Sequence, residues 1–324
     1  MAAEPCGPGR RRRRGVGRGS LRLRRLEHLV RATAVTSRPP ACARRADRRV
    51  ALIVSYAGGA FCGFQRQPRV DTVQARLEAA LADLAGCTVA VRGAGRTDAG
   101  VHAAGQVVDF VLPGAVRLPT SRLPLALSRR LPPEVTVAGA YDVAAGFHAR
   151  KSAIGKRYRF LIWREATASP FFRAYCWHHA GHLDISSMRA AAQILVGRHD
   201  LRAFAGAARP VADATRNVMA CAVYQDGPWL AVEVEADGFL YRTVRAIAGT
   251  LVDVGRGALR VDAMAHLLRS GARSDAGPSL PGHGLCLLWV RYPPAAGLPL
   301  PGSPNWPPPP GPLVRGGEDV AGTR

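Results

Sequence analysis

The sequence predicts an α+β fold made of two halves of similar construction, whose sheets join or abut with a cleft between them. Three observations support this prediction. The chain has 324 residues, of which 48% are apolar, enough for a sizeable core. Segments with strand character alternate with segments of helical period along most of its length. The alternation occurs on both sides of residue 150, which indicates two α+β units.

The first half is predicted to open with a strand at 50–56. A helix follows, with Asp71 as its N-cap, Gln74 as the reciprocal partner three residues on, and Gly86 as its stop. Apolar side chains recur between these limits at helical spacing, at Val73, Leu77, Leu81 and Leu84.

The remaining elements are predicted from the spacing of apolar residues and from the capping and turn residues that bound each segment. Two further strands are predicted in the first half, at 88–91 and 106–111, and the residues between them are expected on an exposed loop. The elements predicted in the second half are a strand at 158–163, a helix from about Asp184 to Gly197, strands at 217–225 and 229–236, a helix from about Phe239 and a strand at 285–292.

The charge of the chain favours a polyanionic partner. Lys and Arg number 45 against 23 Asp and Glu, a net charge of +22, and nucleic acid is the first candidate for such a surface. All but two of the cations are Arg, which together with abundant Ala, Gly and Pro also fits a GC-rich coding bias. Arginine binds phosphate in either case.

Composition divides the chain into four segments. The N-terminal stretch carries 15 Arg in its first 50 residues and lacks a sustained apolar period, which indicates a disordered arm that touches RNA nonspecifically. A transit peptide and an artefact of start-codon choice are the alternatives for this arm. The C-terminal tail has ten Pro between 293 and 312 and cannot pair into a sheet. The predicted segments are the Arg-rich arm at 1–47, a first half at 48–150, a second half at 151–292 and the Pro-rich tail at 293–324.

Residue patterns argue against membrane and zinc proteins. The longest uncharged apolar stretch, at 50–64, is interrupted by three Gly and is shorter than the roughly 18 residues of a spanning helix. The seven Cys are scattered singly without a C-x-x-C pair, unlike structural zinc sites, disulfide frameworks and the zinc deaminases that act on bases. A cytoplasmic protein without metal or membrane is therefore expected.

The loop predicted between 91 and 106 carries the most informative motif, Gly95-Arg96-Thr97-Asp98-Ala99-Gly100-Val101-His102-Ala103. An Asp between small residues ordinarily caps a turn with its own side chain. The nine-residue string resembles the signature of the tRNA pseudouridine synthase A family, in which the aspartate is catalytic. The resemblance therefore implies that Asp98 is a nucleophile.

Further motifs carry the same resemblance over about 240 residues. They are Tyr56 with Gly58, Gly63-Phe64-Gln65-Arg66-Gln67, Phe147-His148-Ala149-Arg150, Lys156-Arg157-Tyr158-Arg159-Phe160, Gly197-Arg198-His199-Asp200, Phe239-Leu240-Tyr241-Arg242-Thr243-Val244-Arg245 and Gly284-Leu285-Cys286-Leu287. Three positions depart from the family pattern, because Phe64, Leu201 and Thr243 stand where Trp, Phe and Met are usual. None of these departures removes a reactive group.

The resemblance assigns roles to six further residues. It implies that Arg245 is the ion-pair partner of the catalytic Asp, and that Tyr158 stacks on the target uracil and assists proton transfer. Arg96 would hold the target base out of its stack. Additional contacts to RNA are assigned to Arg66, Arg150 and Arg157, with Tyr158 and Arg96 counted in the same surface.

Spacing alone gives weaker predictions for these side chains. Arg242 and Arg245 lie three residues apart and share one side of a helix, where both can reach solvent unless one turns inward to a carboxylate. Tyr158 faces away from its neighbours on the strand and otherwise packs like any sheet residue. His102 has no partner at a catalytic spacing and is interpreted as structural.

The implied fold has two ferredoxin-like halves that share a mostly antiparallel sheet, with outer helices and an RNA-binding cleft. The implied reaction isomerises uridine to pseudouridine in the anticodon stem-loop of tRNA, at tRNA positions 38, 39 and 40, without a cofactor or metal. Attack on the uracil ring and attack on the sugar remain alternatives. The implied partners are tRNA and a second copy of the chain in a homodimer. The rival functions are a noncatalytic RNA-binding protein or chaperone of the same fold and a related synthase acting on other RNAs.

Overall fold

The computed structural model describes residues 46–206 and 212–301. The Arg-rich arm predicted at 1–47 lies almost entirely outside the described residues, as does most of the Pro-rich tail. No helix in these described ranges has the length and apolar character of a membrane-spanning segment.

One sheet runs through the described residues, and helices pack against it. The strands are β1 Arg48–Tyr56, β2 Arg92–Gly93, β3 His102–Leu112, β4 Val135–Asp142, β5 Gly155–Trp163, β6 Trp177–His178, β7 Gly197–Asp200, β8 Thr215–Asp226, β9 Trp229–Ala236 and β10 Leu285–Arg291. The α-helices are α1 Val73–Ala85, α2 Leu123–Ser128, α3 Ile185–Ile194, α4 Thr243–Gly255 and α5 Ala263–Ser270. The predicted α+β class with a mostly antiparallel sheet is confirmed.

The strand order is β4-β1-β3-β10-β5-β9-β8-β7, with β2 beside β3 and β6 beside β5. The last strand in sequence, β10, lies in the middle of the sheet. It runs parallel to β3, with Cys286 opposite His102, and antiparallel to β5, with Leu287 opposite Tyr158. The strands before and after residue 150 therefore join through β10 rather than abut. The domain boundary at 150 falls between β4 and β5 and stays a prediction.

Helix α4 is the most deeply buried helix of the fold. Twelve of its thirteen residues are buried, and Arg245 is the exception. Gly249 permits this packing, because a Cβ at that position would lie 1.9 Å from the carbonyl oxygen of Pro278. The chain around Pro278 therefore lies directly on the helix, and Leu280 exchanges backbone and side-chain hydrogen bonds with Arg245.

Two local predictions for the first half need correction. The N-cap of α1 is Thr72, whose hydroxyl accepts from the Ala75 N–H, whereas Asp71 pairs with Arg76. Residues 88–91 do not form a strand, because side chains of α1 bind the backbone of Val91 in place of a sheet neighbour. The strand there is only β2, two residues long.

Two predictions for the second half also need correction. The helix predicted to extend to Gly197 ends at Ile194, and Gly197–Asp200 forms the edge strand β7, which pairs with β8. The helix predicted from about Phe239 begins at Thr243, because Arg242 adopts a left-handed conformation with φ 61°. In contrast, β9 has the predicted bounds and Asp184 caps α3 as predicted.

His102 is a structural residue at the start of β3, in agreement with its sequence interpretation. Its ring is buried, with Nδ1 accepting the Gly58 N–H at 3.1 Å and Nε2 lying 3.2 Å from the carbonyl oxygen of His283. A backbone N–H is only a donor, so Nδ1 is unprotonated and Nε2 carries the ring proton. Burial lowers the pKa of His102 to about 4.

We expect this histidine to make the protein less stable in acid. In the unfolded chain the ring takes up a proton near pH 6.5, whereas the folded chain resists protonation down to about pH 4. The unfolding free energy should therefore fall as the pH drops from 6.5 to 4, by about 1.4 kcal/mol per pH unit at most. Thermal melts of wild type and His102→Asn over this range test the prediction. Asn keeps an acceptor for the Gly58 N–H but does not titrate, so melting temperatures that fall in parallel in both proteins would contradict it.

Candidate active site

The loop that carries Asp98 connects β2 to β3 and is held by hydrogen bonds on several sides. The Thr97 hydroxyl lies 2.8 Å from the Tyr56 hydroxyl, and the Thr97 carbonyl oxygen accepts the Phe64 N–H at 3.0 Å. Gln106, buried on β3, donates its side-chain amide to the carbonyl oxygen of Gly95 at 2.8 Å. These contacts fix the backbone immediately before Asp98.

A glycine allows the second chain segment to approach this loop. Gly63 has φ 91°, in the left-handed region that favours glycine, and a Cβ there would lie 2.8 Å from the carbonyl oxygen of Thr97. The next residue, Phe64, then bonds Thr97 through its N–H. The Gly63-Phe64 part of the sequence motif thus acts as a support for the Asp98 loop.

Asp98 and Arg245 form the ion pair predicted from the resemblance. Arg245 Nη1 lies 2.8 Å from Asp98 Oδ2, and Arg245 Nε donates to the Leu280 carbonyl oxygen at 2.5 Å. The exposed fractions are 21% for the Asp98 side chain and 12% for the Arg245 side chain. The carboxylate is therefore sheltered yet open to a ligand, and the guanidinium stabilises its negative charge, which is the nucleophilic form.

Arg242 approaches the same carboxylate from the start of α4. Its Nε lies 3.9 Å from Asp98 Oδ2, and its guanidinium lies over the ring of Tyr241. A non-glycine residue at positive φ costs on the order of 1–3 kcal/mol, and such residues cluster at functional sites. Asp98 is thus approached by Arg242 from the residue before the helix and by Arg245 from within the helix.

Tyr158 lies close to this ion pair. Its ring is buried and meets the edge of the Phe239 ring at a centroid distance of 5.2 Å. A Cβ on Gly95 would lie 3.8 Å from the Tyr158 hydroxyl, so the phenol reaches the Asp98 loop. Burial, followed by the neighbouring Tyr56 and Asp98, raises the pKa of Tyr158 far above its ordinary value. The phenol is therefore neutral around pH 7 and presents a ring face and a hydroxyl.

The other arginines predicted to bind RNA are more scattered. Arg96 is exposed on the Asp98 loop, two residues before the carboxylate. Arg66 is exposed as well and lies 3.2 Å from the carboxylate of Glu78. Arg157 points to the opposite face of the sheet from Tyr158, where it pairs with buried glutamates of β9. The structure thus brings Arg96 near Asp98 and leaves Arg157 away from it.

Arg150 follows Ala149, whose backbone N–H and carbonyl oxygen are both hydrogen-bonded to side chains. The N–H of Ala149 donates to the buried carboxylate of Asp109 at 2.8 Å, and its carbonyl oxygen accepts the Tyr292 hydroxyl at 2.6 Å. Asp109 is in turn bound by Arg92. Asp109 and Tyr292 were missed at the sequence level, because nothing in the spacing joins residues on strands so far apart.

Lys156 is a further residue to which sequence reasoning assigned no role. It lies on β5 two residues before Tyr158, and its Nζ donates to the carbonyl oxygen of Ala94 at 2.8 Å. Because side chains alternate along a strand, Lys156 and Tyr158 share one face. That alternation, and the fact that the chain has only two lysines, were the available signals.

The arrangement therefore consists of a sheltered carboxylate with two guanidiniums, a neutral buried phenol and an ammonium on the same side of the sheet. A carboxylate stabilised in this way can attack an electrophilic carbon and form a covalent intermediate. The phenol ring offers a surface for a planar base that has left its stack. In contrast, no group of three or more His, Cys, Asp or Glu placed to hold a metal ion occurs among the described residues.

The family of this chain follows from its similarity to known proteins. Among solved structures, an archaeal box H/ACA sRNP Nop10–Cbf5 complex is similar over 63% of this chain and 44% of that chain, with 15% identity and a TM-score of 0.30, too low to support an argument. Residues 52–150 and 191–293 match the model of a family described as tRNA pseudouridine synthase.

Two curated relatives match over nearly their whole length. The chain is 42% identical over 243 residues to the tRNA pseudouridine synthase A of Moorella thermoacetica, covering 74% of this chain and 98% of the relative. It is 40% identical over 245 residues to that of Syntrophotalea carbinolica, covering 76% and 96%. With its family model, its relatives and its sheltered Asp98 in agreement, the chain belongs to the tRNA pseudouridine synthase A family.

Proposed function

We propose that this isomerase converts uridine to pseudouridine in the anticodon stem-loop of tRNA, with Asp98 as its nucleophile. The observation that carries the proposal is the ion pair between Asp98 and Arg245, 2.8 Å apart beside the ring of Tyr158. A partly exposed carboxylate paired with a guanidinium next to an aromatic ring suits attack on an extruded nucleotide.

The reaction moves one bond within a single nucleotide. Asp98 attacks either the uracil ring or the anomeric carbon of the sugar, and the N-glycosidic bond breaks. The uracil then turns, and its C5 forms a carbon–carbon bond to the sugar. On the sugar route the bond to Asp98 breaks in this step, whereas on the ring route it breaks as C5 loses its proton. A base removes the C5 proton and N1 gains a proton, which restores the ring system without gain or loss of electrons. No cofactor is consumed.

Access to the uridine requires its extrusion from the RNA stack. Extrusion costs a few kcal/mol and is cheapest in or beside a loop, which agrees with an anticodon stem-loop as the target. We assign to the exposed guanidinium of Arg96, two residues from the nucleophile, the role of occupying the space that the base leaves. Arg66 and Arg150 are exposed and available for phosphate contacts, whereas the contact proposed for Arg157 requires it to leave its glutamates.

The family resemblance further supports a homodimer that holds tRNA across two copies, and a cytoplasmic location agrees with the free cysteines among the described residues. The two halves at 48–150 and 151–292 are retained as the proposed domains. Light scattering of the purified protein measures the oligomeric state directly.

Replacement of the nucleophile should abolish turnover while binding persists. Asp98→Asn keeps the size of the side chain but removes its charge, so we expect the saturated rate on unmodified tRNA to fall by about 10⁴-fold or more. Chemical detection of pseudouridine measures the rate, and a filter-binding titration measures affinity for tRNA. A wild type that binds tRNA but forms no pseudouridine would instead favour the noncatalytic RNA-binding protein. Mapping the modified positions distinguishes the proposed enzyme from a related synthase that acts on other RNAs.

The two arginines at Asp98 should contribute unequally. Arg245→Gln removes the close guanidinium, and we expect a loss of about 10²–10³-fold in the saturated rate, typical of a lost electrostatic partner. Arg242→Gln is the matched control, because its Nε is 3.9 Å from the carboxylate and 44% of its side chain is exposed. A loss of about tenfold or less is expected there. Equal losses in both variants would mean that the short ion pair has no special role.

Salt should weaken tRNA binding steeply. If the cleft neutralises about 6–10 phosphates, the affinity for tRNA falls about 10³–10⁵-fold between 50 and 200 mM salt. Deletion of residues 1–45 should reduce the affinity and the salt slope while the rate at saturating tRNA is kept. The measurement is a salt series of binding titrations for both proteins, and loss of the saturated rate in the deletion would assign the arm to catalysis.

A further inference from the structure

Lys156 places an ammonium group at the edge of the pocket that holds Tyr158 and Asp98. Its strand position faces Val290 on β10 and Ala236 on β9, and its side chain reaches across to the Asp98 loop. A Cβ built on Gly95 would lie 3.7 Å from Lys156 Nζ and 3.8 Å from the Tyr158 hydroxyl. Ammonium and phenol thus flank the same backbone position, three residues before the nucleophile.

This ammonium is incompletely satisfied by the protein. Its hydrogen bond within the described residues goes to the carbonyl oxygen of Ala94, while an ammonium has three N–H donors. No carboxylate of the described residues lies within ion-pair distance of it. A half-buried cation with donors to spare can bind an acceptor from outside the protein.

The surroundings of Lys156 disfavour its charge but leave the group mostly protonated at pH 7. Burial lowers the pKa of Lys156 to about 8, with smaller contributions from Arg150 and Arg216. Arg150 follows the fixed backbone of Ala149, and Arg216 lies on β8, where Gly238 packs against it. Asp98, the acid of the catalytic pocket, is paired with Arg245.

We propose that Lys156 is a further catalytic residue, whose ammonium donates a hydrogen bond to a carbonyl oxygen of the target uracil and stabilises the negative charge that develops on the ring. This inference rests on the proposed function. It goes beyond the roles of Asp98, Arg245 and Tyr158, because it assigns a separate group to the leaving base.

The charge requirement is the same on both routes of attack. If Asp98 attacks the ring at C6, the electron pair of the C5–C6 double bond moves to the oxygen on C4. If Asp98 attacks the sugar, the electron pair of the glycosidic bond remains on N1 and spreads to both ring oxygens. In each case Lys156 donates a hydrogen bond without giving up its proton, and the C5 proton leaves later to a base. Preorganised donors aimed at developing oxyanion charge give rate factors of about 10²–10³.

Two other roles for Lys156 make different predictions. A contact to a backbone phosphate, shared with Arg150 and Arg216, would affect binding rather than the chemical step. A purely structural link to Ala94 would affect the folded state. The saturated rate, tRNA affinity and thermal stability therefore distinguish the three roles.

The experiment uses the full chain and an unmodified tRNA transcript. Lys156→Gln and Lys156→Arg are compared with wild type, and Lys151→Gln is the matched control because Lys151 is exposed and is the chain's other lysine. Single-turnover rates at saturating enzyme are measured from pH 6 to 9, with tRNA affinity as a function of salt and melting temperatures. Wild-type turnover on this tRNA tests the proposed function separately.

We expect Lys156→Gln to lower the saturated rate about 10²-fold, with affinity and melting temperature close to wild type. The wild-type rate should fall above about pH 8, as the ammonium loses its proton. Lys156→Arg should retain most of the rate and lose this alkaline decline, because a guanidinium stays charged. Lys151→Gln should match wild type.

Three results would overturn the proposal. An unchanged saturated rate in Lys156→Gln, with weaker binding and a salt slope reduced by about one, would assign Lys156 to a phosphate. A fall in melting temperature that accounts for the loss of rate, with Arg restoring both, would assign it to the link with Ala94. An alkaline decline that persists in Lys156→Arg would mean that another group titrates.

Discussion

The ion pair between Asp98 and Arg245 is the interaction on which the rest of the structure depends. Each partner needs the other, because an unpaired charge in a sheltered position costs several kcal/mol. The carboxylate comes from a loop between two strands of the first half of the chain, and the guanidinium comes from a helix in the second half. The fold therefore has to hold Arg245 Nη1 and Asp98 Oδ2, which come from distant segments, 2.8 Å apart.

Each side of the pair has its own rigid support. On the carboxylate side, hydrogen bonds from Tyr56, Phe64 and Gln106 fix the backbone before Asp98. On the guanidinium side, Gly249 lets the chain near Pro278 lie against α4, so that the carbonyl oxygen of Leu280 holds Arg245. Rigid placement matters because a displaced nucleophile loses much of the advantage of proximity. Glycine motifs that carry no chemistry are therefore part of the catalytic arrangement.

The sequence predicts the fold class, most strands and the central residues of the site, and the failures have identifiable causes. Strand β9 was predictable because apolar residues, a turn and β-branched side chains agree there. Residues 88–91 have the same alternation, yet Gln74 and Glu78 of α1 satisfy the backbone of Val91, a tertiary effect that no local pattern contains. The left-handed Arg242 is a similar case, since no local sequence pattern indicates a positive φ at an arginine.

The site residues also divide into those that local motifs predict and those that only tertiary contacts reveal. Asp98, Arg245 and Tyr158 were available from motifs, whereas Asp109 and Lys156 act through contacts between a strand and a loop that are remote in sequence. Composition predicted a polyanionic partner but not which arginines face it. Arg157 illustrates this difference. Its position on β5 predicts that it faces away from Tyr158, but nothing near it in sequence predicts its glutamate partners on β9.

The central position of β10 has a consequence for the order in which the protein is made. β3, which follows the Asp98 loop, and β5, which carries Tyr158, are separated in the sheet by a strand that leaves the ribosome well after both of them. Until Leu285–Arg291 has been synthesised, these two strands lack their shared neighbour. A chain whose synthesis stops before β10 therefore lacks the strand that joins the Asp98 loop to the Tyr158 strand, however well its earlier residues have folded.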